Sequence, residues 1–474
     1  MTVIAASHPP AHTAFVPTSD ATALGRRAAE LTARDRWTRP QLLAYQQERL
    51  WAVLRHAVDT SPYYRDTIGH LVARGAPLEE FPVLTKKQLV ANFDRIVTDR
   101  RLSLATIERH LAGANAAKPI FGQYRACATG GTTGVRAVMV YDRTAWEYAM
   151  ANSARFTQAT GAPRGARFVG IGAPTPQHLS WRVYEESRLA NPDMPRLYVT
   201  TPMDEVVAAL NSYQPEVIGT YPSFIRRLAE EQLEGRLRIS TRIFTSVAEA
   251  LMPDVRDLAR KVWGATIFDR YSTTETATAG AECGHSSGIH LPEDLVVFEA
   301  VDAANRKVPA GTPGLRLLVT TLTNAVLPLI RYELTDMVAL SDEICACGRP
   351  YARITSIDGR REEVLRLPRR GGGHLEIHAF RLVSPLIGMP GIRQYQLLPG
   401  AGDVSVRISV RAGEPQAIIR AAVERSIRGV LDNAGVAETK VAVEIVDFIE
   451  RSGSGAKIKL VAKSASEGSC HGQT

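Results

Sequence analysis

The segment Ala128–Arg136 reads ATGGTTGVR and holds three glycines and three threonines within 129–134. A loop of this composition can turn backbone N–H groups and hydroxyls toward phosphate oxygens, because glycine allows close approach of the backbone. It is not a Walker A loop, since the segment lacks that motif's final lysine followed by serine or threonine. The alternative is an ordinary surface turn. The loop therefore predicts a phosphate site only with support from other segments.

Two further segments carry groups that can bind a nucleotide. In DRYSTTET (269–276), Tyr271 can stack on a purine, the hydroxyls can hold a phosphate, and Glu275 can bind Mg²⁺. In RYELTDMV (331–338), Asp336 follows a predicted strand, where its carboxylate could accept hydrogen bonds from both hydroxyls of a ribose. The alternatives are a threonine-rich loop with an exposed glutamate and a common turn or N-cap aspartate.

The cysteines suggest a metal site. Cys345 and Cys347 lie two residues apart, and ECGHSSGIH supplies Cys283, His285 and His290. Three cysteines and one histidine would form a closed tetrahedral zinc site without an open position for catalysis, and free buried thiols are the alternative. Cys127, beside the glycine-rich loop, is interpreted as a small core residue rather than a nucleophile.

The composition limits the class of protein. The chain has 474 residues, of which 45% are apolar and 22% charged, with a net charge of +8. The length suggests about two or three domains, and a disordered or collagen-like chain is excluded. No run approaches ~18 apolar residues. Residues 1–20 are predicted to be disordered and do not resemble a secretory signal. We therefore expect a cytoplasmic enzyme without a disulfide framework.

The charge pattern does not indicate a nucleic-acid or membrane partner. Basic residues are mostly interleaved with acidic ones, and the one dense basic stretch lies between Arg360 and Arg370. That stretch is either a solvated loop or a site for a phosphate-bearing small ligand. We therefore expect a small-molecule partner and no nucleic acid.

The elements that would position these residues indicate an α/β fold. Thr38 with Gln41 and Thr85 with Gln88 fit capping boxes, and Leu43, Leu50, Val53, Leu54 and Ala57 are predicted to share one helical face. Predicted strands at 216–220, 242–246 and 265–269 alternate with helices, which indicates βαβ units with a parallel sheet and flanking helices. Ligands bind in loops at the carboxyl ends of such strands.

The tail changes character and predicts a second, smaller α+β domain. Strand-like alternation at 404–410 precedes an amphipathic helix and another strand at 441–446. A stretch rich in glycine and arginine, 359–373, separates this region from the preceding one. We place a large N-terminal domain at 21–360 and a C-terminal domain at 361–474; the mobility of the latter is implied by the family resemblance described below.

Taken in order, these segments resemble the adenylate-forming enzyme superfamily and, within it, the phenylacetate–CoA ligase-like family. The resemblance extends from about Gln46 to Val461. It is carried by the segments QQERLWAVLRHAVDTSPYYRD, PVLTKKQL, TGGTTG, TYPSF, AEAL, YSTTE, YELTDMV, CACGRP, DGRREEV and RSGSGAKIKLV. Ser272 stands where the family usually has glycine, and Ala456 stands where glycine commonly precedes the C-terminal lysine. This spacing leaves Lys457 and Lys459 as alternatives, of which Lys457 directly follows the glycine-rich turn and is favoured.

The resemblance implies a role for each matching residue. Lys457, Glu275 and Arg360 would be catalytic, and Glu362 would be the hinge. Tyr221, Pro222 and Ser223 would line the substrate site, while ordinary core packing is the favoured interpretation of Tyr148 and Trp181. Cys283, His290, Cys345 and Cys347 would bind structural zinc; His290 is favoured by the family's G-x-H phrase, and His285 stays open. The nucleotide-binding residues would be Thr129, Gly130, Gly131, Thr132, Thr133, Gly134, Ala248, Glu249, Asp269, Tyr271, Ser272, Thr273, Thr274 and Asp336.

The implied activity is that of an ATP-dependent carboxylic acid ligase. A carboxylate would attack the α-phosphate of MgATP to give an acyl-adenylate and pyrophosphate, and CoA would then take the acyl group. The acid would be aromatic or arylacetic. The alternatives are an amide ligase or a carrier-protein-loading ligase that uses the same adenylate, and a non-enzymatic zinc-bearing scaffold. A homodimer is compatible with the resemblance.

Overall fold

The computed structural model of the chain describes residues 21–129, 136–163, 165–278, 280–285, 288–360, 363–386, 389–399, 403–411, 413–450 and 460–461. Its α-helices are α1 (Ala21–Arg34), α2 (Arg39–Thr60), α3 (Pro62–Ala73), α4 (Lys86–Ala91), α5 (Phe93–Ile96), α6 (Leu104–Ala112), α7 (Arg143–Ala159), α8 (Leu179–Ala190), α9 (Met203–Tyr213), α10 (Pro222–Leu233), α11 (Pro253–Trp263), α12 (Ala379–Val383) and α13 (Gln416–Asn433). Single 3₁₀ turns lie at Leu78–Glu80 and Ser384–Leu386. The predicted disordered segment 1–20 lies outside the described residues.

The strands are short and distributed over several sheets. They are β1 (Arg125–Ala128), β2 (Val138–Tyr141), β3 (Phe168–Gly172), β4 (Leu197–Tyr198), β5 (Val217–Thr220), β6 (Ile243–Ser246), β7 (Thr266–Asp269), β8 (Ser272–Thr273), β9 (Ala277–Thr278), β10 (Ile289–His290), β11 (Val296–Val301), β12 (Arg316–Thr321), β13 (Tyr332–Leu334), β14 (Asp336–Ser341), β15 (Arg353–Arg360), β16 (Val364–Pro368), β17 (His374–His378), β18 (Ile392–Pro399), β19 (Val404–Val410) and β20 (Val441–Val446).

The central sheet is parallel, with strand order β4-β3-β5-β6-β7. Its middle strand, β5, is buried along its whole length, as its continuous apolar sequence predicts. Helices α8, α10 and α11 lie between successive strands, so each unit is a β-strand, a helix and a parallel β-strand. The predicted α/β class with a parallel sheet and flanking helices is confirmed.

Antiparallel sheets surround this layer. The orders β11-β12-β13 and β10-β15-β14 lie between the central sheet and the tail in chain order. In β15, Arg353 pairs with His290 of β10 and Arg360 pairs with Asp336 of β14. One strand thus connects two groups of residues that the sequence assigns to different sites.

Both predicted capping boxes are present. The Thr38 backbone N–H donates to the Gln41 side chain at 2.8 Å, and the Thr85 N–H donates to Gln88 at 2.9 Å. The predicted apolar face of α2 is wrong at one position, because Leu43 is 41% exposed whereas Leu42 is fully buried. Within the described part of the chain, no helix is long and apolar enough to cross a membrane.

The apolar core divides into three clusters. The first is formed by residues between Leu31 and Ile354 in sequence. The second is a separate cluster around the parallel sheet, formed by residues between Val169 and Ile267. The third begins at Leu365 and packs β18, β19 and β20 against α13. The stretch 359–373 is not simply a linker, since it contains the end of β15 and all of β16. The first core cluster ends at Ile354 and the third begins at Leu365, while the division of the chain into domains at 360 and 361 stays a prediction.

Candidate active site

A cleft of about 1070 Å³ lies at the carboxyl end of the parallel sheet. Its wall includes Tyr221 after β5, Ala248 after β6 and Arg270 after β7. Residues from α4, α7 and α8 and from the β13–β14 junction complete the wall. This is the position at which α/β sheets bind ligands.

Three predicted nucleotide residues contact one another at one side of this cleft. The Tyr271 hydroxyl donates to Asp336 Oδ2 at 2.7 Å, and Arg360 Nε donates to Asp336 Oδ1 at 3.2 Å. Asp336 and Arg360 line the cleft, whereas Tyr271 is buried behind them. The side chain of Asp336 is therefore fixed before any ligand binds.

Arg360 is held in place by the glycine that precedes it. Gly359 has φ +107°, and a Cβ placed there would lie 2.0 Å from the His378 ring. The His378 Nε2 atom lies 2.9 Å from the Arg360 carbonyl oxygen. Glycine is needed at 359 because the ring occupies the space of any side chain.

Glu275 is a buried carboxylate in the cleft wall. Burial raises its pKa, while Lys86 and Arg360 act in the opposite direction. The Tyr332 hydroxyl donates to Glu275 Oε1 at 3.4 Å. A buried carboxylate of this kind is stabilised in its charged form by a cation. Its donor chemistry fits Mg²⁺, which binds one or two carboxylates together with phosphate oxygens.

Lys86 was not singled out from the sequence, although it lines the cleft and acts on Glu275. It is the first residue of α4, directly after the Thr85 cap. The capping box was the available signal, because it places the following side chain at a helix N-terminus. Glu275, on which it acts, is more than 180 residues away in sequence, so patterns of adjacent residues do not predict this pair.

Thr129 is the part of the predicted phosphate loop that the structure describes. Its backbone N–H donates to the Ala137 carbonyl at 2.8 Å, and its hydroxyl accepts from the Ala137 N–H at 3.1 Å. These bonds close the base of a loop between β1 and β2, and Thr129 lines the cleft. Gly130, Gly131, Thr132, Thr133 and Gly134 lie outside the described residues.

The two segments that follow β6 and β7 complete the nucleotide side. Ala248 lines the cleft with a left-handed backbone, φ 68°, a conformation that non-glycine residues adopt mainly at constrained sites. The Glu249 carboxylate accepts from the Ser223 N–H at 3.1 Å and so caps the start of α10. Asp269 accepts hydrogen bonds from Ser246 and from the Arg270 N–H, and burial raises its pKa to about 6.

The short segment after Tyr271 forms a tight hairpin along the cleft. The Ser272 hydroxyl donates to the Ala277 carbonyl at 2.8 Å, and the hydroxyls of Thr273 and Thr276 lie 2.8 Å apart. Ser272, Thr273 and Thr274 all line the cleft. The predicted run of hydroxyls is therefore presented to the same space as Asp336.

Of the predicted substrate residues, Tyr221 lines the cleft. Pro222 begins α10, and the backbone of Ser223 is bonded to Glu249 behind the wall. Two other aromatic side chains, Phe168 and Tyr184, line the cleft beside Tyr221 with their ring centroids 6.0 Å apart.

The other two aromatic candidates take different positions. The Tyr148 hydroxyl bonds Glu30 and Arg27, between α7 and α1, which agrees with its core interpretation. Trp181 lies on α8 beside Tyr198, behind the wall of the main cleft.

The predicted metal ligands form one cluster. Atoms Sγ of Cys283, Cys345 and Cys347 and a ring nitrogen of His290 all lie within 4.8 Å of one another. Cys283 Sγ and Cys345 Sγ are 3.7 Å apart, and Cys347 Sγ is 3.4 Å from His290 Nε2. A tetrahedral zinc site with ordinary bond lengths has sulfur–sulfur and sulfur–nitrogen edges of roughly 3.8 and 3.5 Å. The donor set and spacing therefore fit zinc.

Burial favours the neutral forms of side chains in this cluster. It lowers the pKa of His290 to about 4, so the imidazole is neutral and able to bind a metal. Burial and the neighbouring thiols raise the pKa of Cys347, because adjacent thiolates repel one another without a cation. His285 is exposed, and its Nδ1 lies 3.1 Å from the Cys283 carbonyl oxygen. The geometry thus selects His290.

Three residues predicted from the sequence belong to segments outside the cleft geometry given above. Lys457, Lys459 and the hinge residue Glu362 lie outside the described residues. The next described residues, Leu460 and Val461, pair with Leu397 of β18 in the third core cluster.

Comparisons with known proteins agree with the fold. No family model matches the chain. The chain is 28% identical over 377 residues to phenylacetate–coenzyme A ligase of Thermus thermophilus, covering 76% of this chain and 78% of that enzyme. It is also 28% identical over 343 residues to the same ligase of Escherichia coli, covering 69% and 72%. The chain is thus similar in sequence to phenylacetate–coenzyme A ligases over about 70% of its length or more.

Two solved structures share the fold of this chain. A 2-hydroxyisobutyryl-CoA ligase in complex with its acyl-AMP has a TM-score of 0.73, with 20% identity and 92% coverage of each chain. The amide bond synthetase McbA from Marinactinospora thermotolerans has a TM-score of 0.51, with 16% identity and coverage of 71% and 67%. Ligases with different acceptors therefore share this fold.

Proposed function

We propose that this chain activates a carboxylic acid with ATP as an acyl-adenylate and transfers the acyl group to CoA. The observation that carries the proposal is the grouping of Asp336, Arg360, Glu275 and Lys86 in one cleft at the carboxyl end of the parallel sheet. This set offers an acceptor for ribose hydroxyls, a carboxylate for a cation and positive groups for phosphate oxygens. The relatives that bear the ligase name support the same reaction.

In this proposal each cleft residue has a separate task. Asp336, oriented by Tyr271 and Arg360, accepts the two ribose hydroxyls. Glu275 holds Mg²⁺, which neutralises phosphate charge when bound. Lys86 and Lys457 donate to phosphate or carboxylate oxygens as charge moves to pyrophosphate. The chain thus acts by positioning and by charge stabilisation, with the incoming carboxylate as the nucleophile.

The acceptor is the finer part of the proposal. CoA is supported by the names of the ligase relatives, and an amine or a carrier-protein thiol is the second candidate because an amide bond synthetase shares the fold. We propose an aromatic or arylacetic acid, since Phe168, Tyr184 and Tyr221 line one side of the cleft.

We also propose that Cys283, His290, Cys345 and Cys347 hold a structural zinc ion. The four ligands close the tetrahedron and leave no position for substrate, so the ion would stabilise the fold. We further propose that the chain divides into domains at 21–360 and 361–474, with the hinge at Glu362. The remaining proposals are a cytoplasmic location and a homodimer, which a measurement of the oligomeric state would test.

The function is tested by pyrophosphate release from MgATP with aryl, arylalkyl and aliphatic acids, each alone, with CoA and with mixed amines. CoA-stimulated release by one acid class is the expected result. Stimulation by amines alone would move the assignment to an amide ligase. If no acid gives release while intact protein retains zinc, the zinc-bearing scaffold becomes the better explanation.

The catalytic lysine is tested in the same assay. Lys457→Ala is expected to abolish adenylation, whereas Lys459→Ala is expected to retain most of it. Lys463→Ala serves as the matched control for loss of one positive charge in the tail. Unchanged adenylation in Lys457→Ala would contradict the assignment of that residue.

A further inference from the structure

Arg270 lies between two predicted nucleotide residues, yet its side chain faces another part of the cleft. It follows the last residue of β7, and its guanidinium reaches α7. There Nη1 donates to the Ser153 hydroxyl at 3.1 Å and Nη2 donates to the Thr157 hydroxyl at 2.7 Å. Ser153 and Thr157 are one helical turn apart and line the same cleft.

The guanidinium has no carboxylate partner among the described residues. An arginine has five N–H donors, and Nε of Arg270 is buried without an acceptor. In contrast, buried Arg155 is paired with Asp294 at 2.9 Å, and buried Arg331 with Glu299 at 3.2 Å. Two neutral hydroxyls are weaker partners for the charge of Arg270 than a carboxylate. Because Arg270 is half-buried and lines the cleft, an anion bound in the cleft can pair with it.

The Arg270 guanidinium contacts different groups from those around Asp336. Asp336 is bonded by Tyr271 and Arg360, whereas the Arg270 guanidinium bonds Ser153 and Thr157 of α7. Burial lowers the pKa of Arg270 to about 10, while the neighbouring phenol of Tyr184 acts in the opposite direction. We therefore assign Arg270 to the aromatic side of the cleft.

The wall of this side is aromatic. A Cβ at Gly170 would lie 2.2 Å from the Tyr184 ring, and one at Gly172 would lie 2.9 Å from it. The missing side chains let Tyr184 pack close to β3, beside Phe168 and Tyr221, and all three aromatic residues line the cleft. Because Arg270 lines the same cleft, an aromatic acid that packs on this wall has a cationic group within the same space.

We propose that Arg270 is a specificity-determining residue that binds a second carboxylate on the acyl substrate. The substrate class is then an aromatic dicarboxylic acid, in which one carboxylate is adenylated and the other pairs with the guanidinium. This inference rests on the proposed acid-activating function and adds the chemistry of the far end of the acid. Arginine suits the task because its planar donors match a carboxylate.

The test uses the ortho, meta and para isomers of carboxyphenylacetate and their ring methyl esters, which keep the shape and lose the second charge. Pyrophosphate release is measured for wild type, Arg270→Met and Arg270→Lys. The matched control is Arg260→Met, which replaces an exposed arginine side chain on α11. In the wild type, kcat/KM for at least one diacid should exceed that for its ester by about 10- to 100-fold. Arg270→Met should lose this preference without a change in KM for ATP, and Arg270→Lys should retain part of it.

Three results would overturn the inference. The first is a wild type that uses the esters as well as the diacids, and the second is a preference that survives in Arg270→Met. The third is an equal rise in KM for ATP with every acid, which would place Arg270 at the nucleotide.

If no acid supports release, the proposed function fails instead, and calorimetry with the three diacids decides the binding question. Binding to the wild type and not to Arg270→Met would support the carboxylate site, and binding to neither would refute it.

Discussion

Replacement of Asp336 by asparagine tests whether its carboxylate binds the ribose, because it exchanges one carboxylate oxygen for an amide nitrogen. The side chain is 13% exposed and is held by Tyr271 at 2.7 Å and Arg360 at 3.2 Å. Asparagine has the same shape but no charge, and one acceptor oxygen becomes a donor. We therefore expect a weaker contact with a ribose rather than loss of the fold.

The size of the effect follows from the number of hydrogen bonds. Two bonds from ribose hydroxyls to a carboxylate contribute about 1.5–3 kcal/mol each, and the amide retains roughly 1 kcal/mol for each neutral bond. The expected loss is therefore about 1–4 kcal/mol, which corresponds to a fall of about 5- to 1000-fold in kcat/KM for ATP.

The assay is pyrophosphate release at saturating acid with varied ATP, and KM for the acid should stay unchanged. Tyr271→Phe is the matched control, because it removes one hydrogen bond from Asp336 but keeps the charge, and its effect should be smaller. Denaturant unfolding checks that Asp336→Asn is folded. A fall of less than about 3-fold for ATP, together with a raised KM for the acid, would refute the ribose assignment.

Other expectations concern the metal cluster, the buried charges and pH. Purified protein should contain one zinc per chain, and Cys345→Ser should lose both zinc and thermal stability; metal analysis without zinc would contradict the cluster's assignment. Arg155→Met should reduce the free energy of unfolding by about 3–5 kcal/mol, because Asp294 is fully buried; a change below about 1 kcal/mol would contradict this. Burial raises the pKa of Asp269 from 3.8 to about 6, so the folded state binds the proton more tightly. Wild type should therefore lose stability relative to Asp269→Asn as pH rises through that window, as measured by denaturant midpoints.

Local patterns in the sequence were sufficient for much of the fold. The continuous apolar run at β5 and the Thr38–Gln41 capping box each predict an element from adjacent residues, and both are present. The four residues of the proposed zinc site were also singled out from the sequence, because thiol and imidazole groups are rare and their spacing is informative. Their convergence was implied by a family resemblance and is found in the structure.

Other features depend on contacts between distant segments. On α2, Leu42 and Leu43 are equally apolar, and packing alone decides that Leu42 is the buried one. Arg270 was overlooked because its meaning depends on which side chains face it, and Ser153 and Thr157 lie more than 100 residues earlier. Lys86 was overlooked for the same reason. A sequence therefore reveals residues whose function follows from their side-chain type, such as cysteine, more readily than residues whose function depends on the side chains that surround them in the fold.

The cysteine cluster and the cleft are joined by one strand, which gives the proposed zinc a role in positioning the nucleotide site. At its first residue, β15 pairs with β10, which carries the ligand His290, and at its last residue it brings Arg360 beside Asp336. Arg349, near the cluster, also bonds Asp35 at 3.0 Å, just after α1. Loss of zinc would free the beginning of β15, where Arg353 pairs with Ser341 of β14, and would loosen this strand pair. Metal removal should therefore lower stability strongly and should raise KM for ATP more than KM for the acid, since Arg360 and Asp336 share that strand pair.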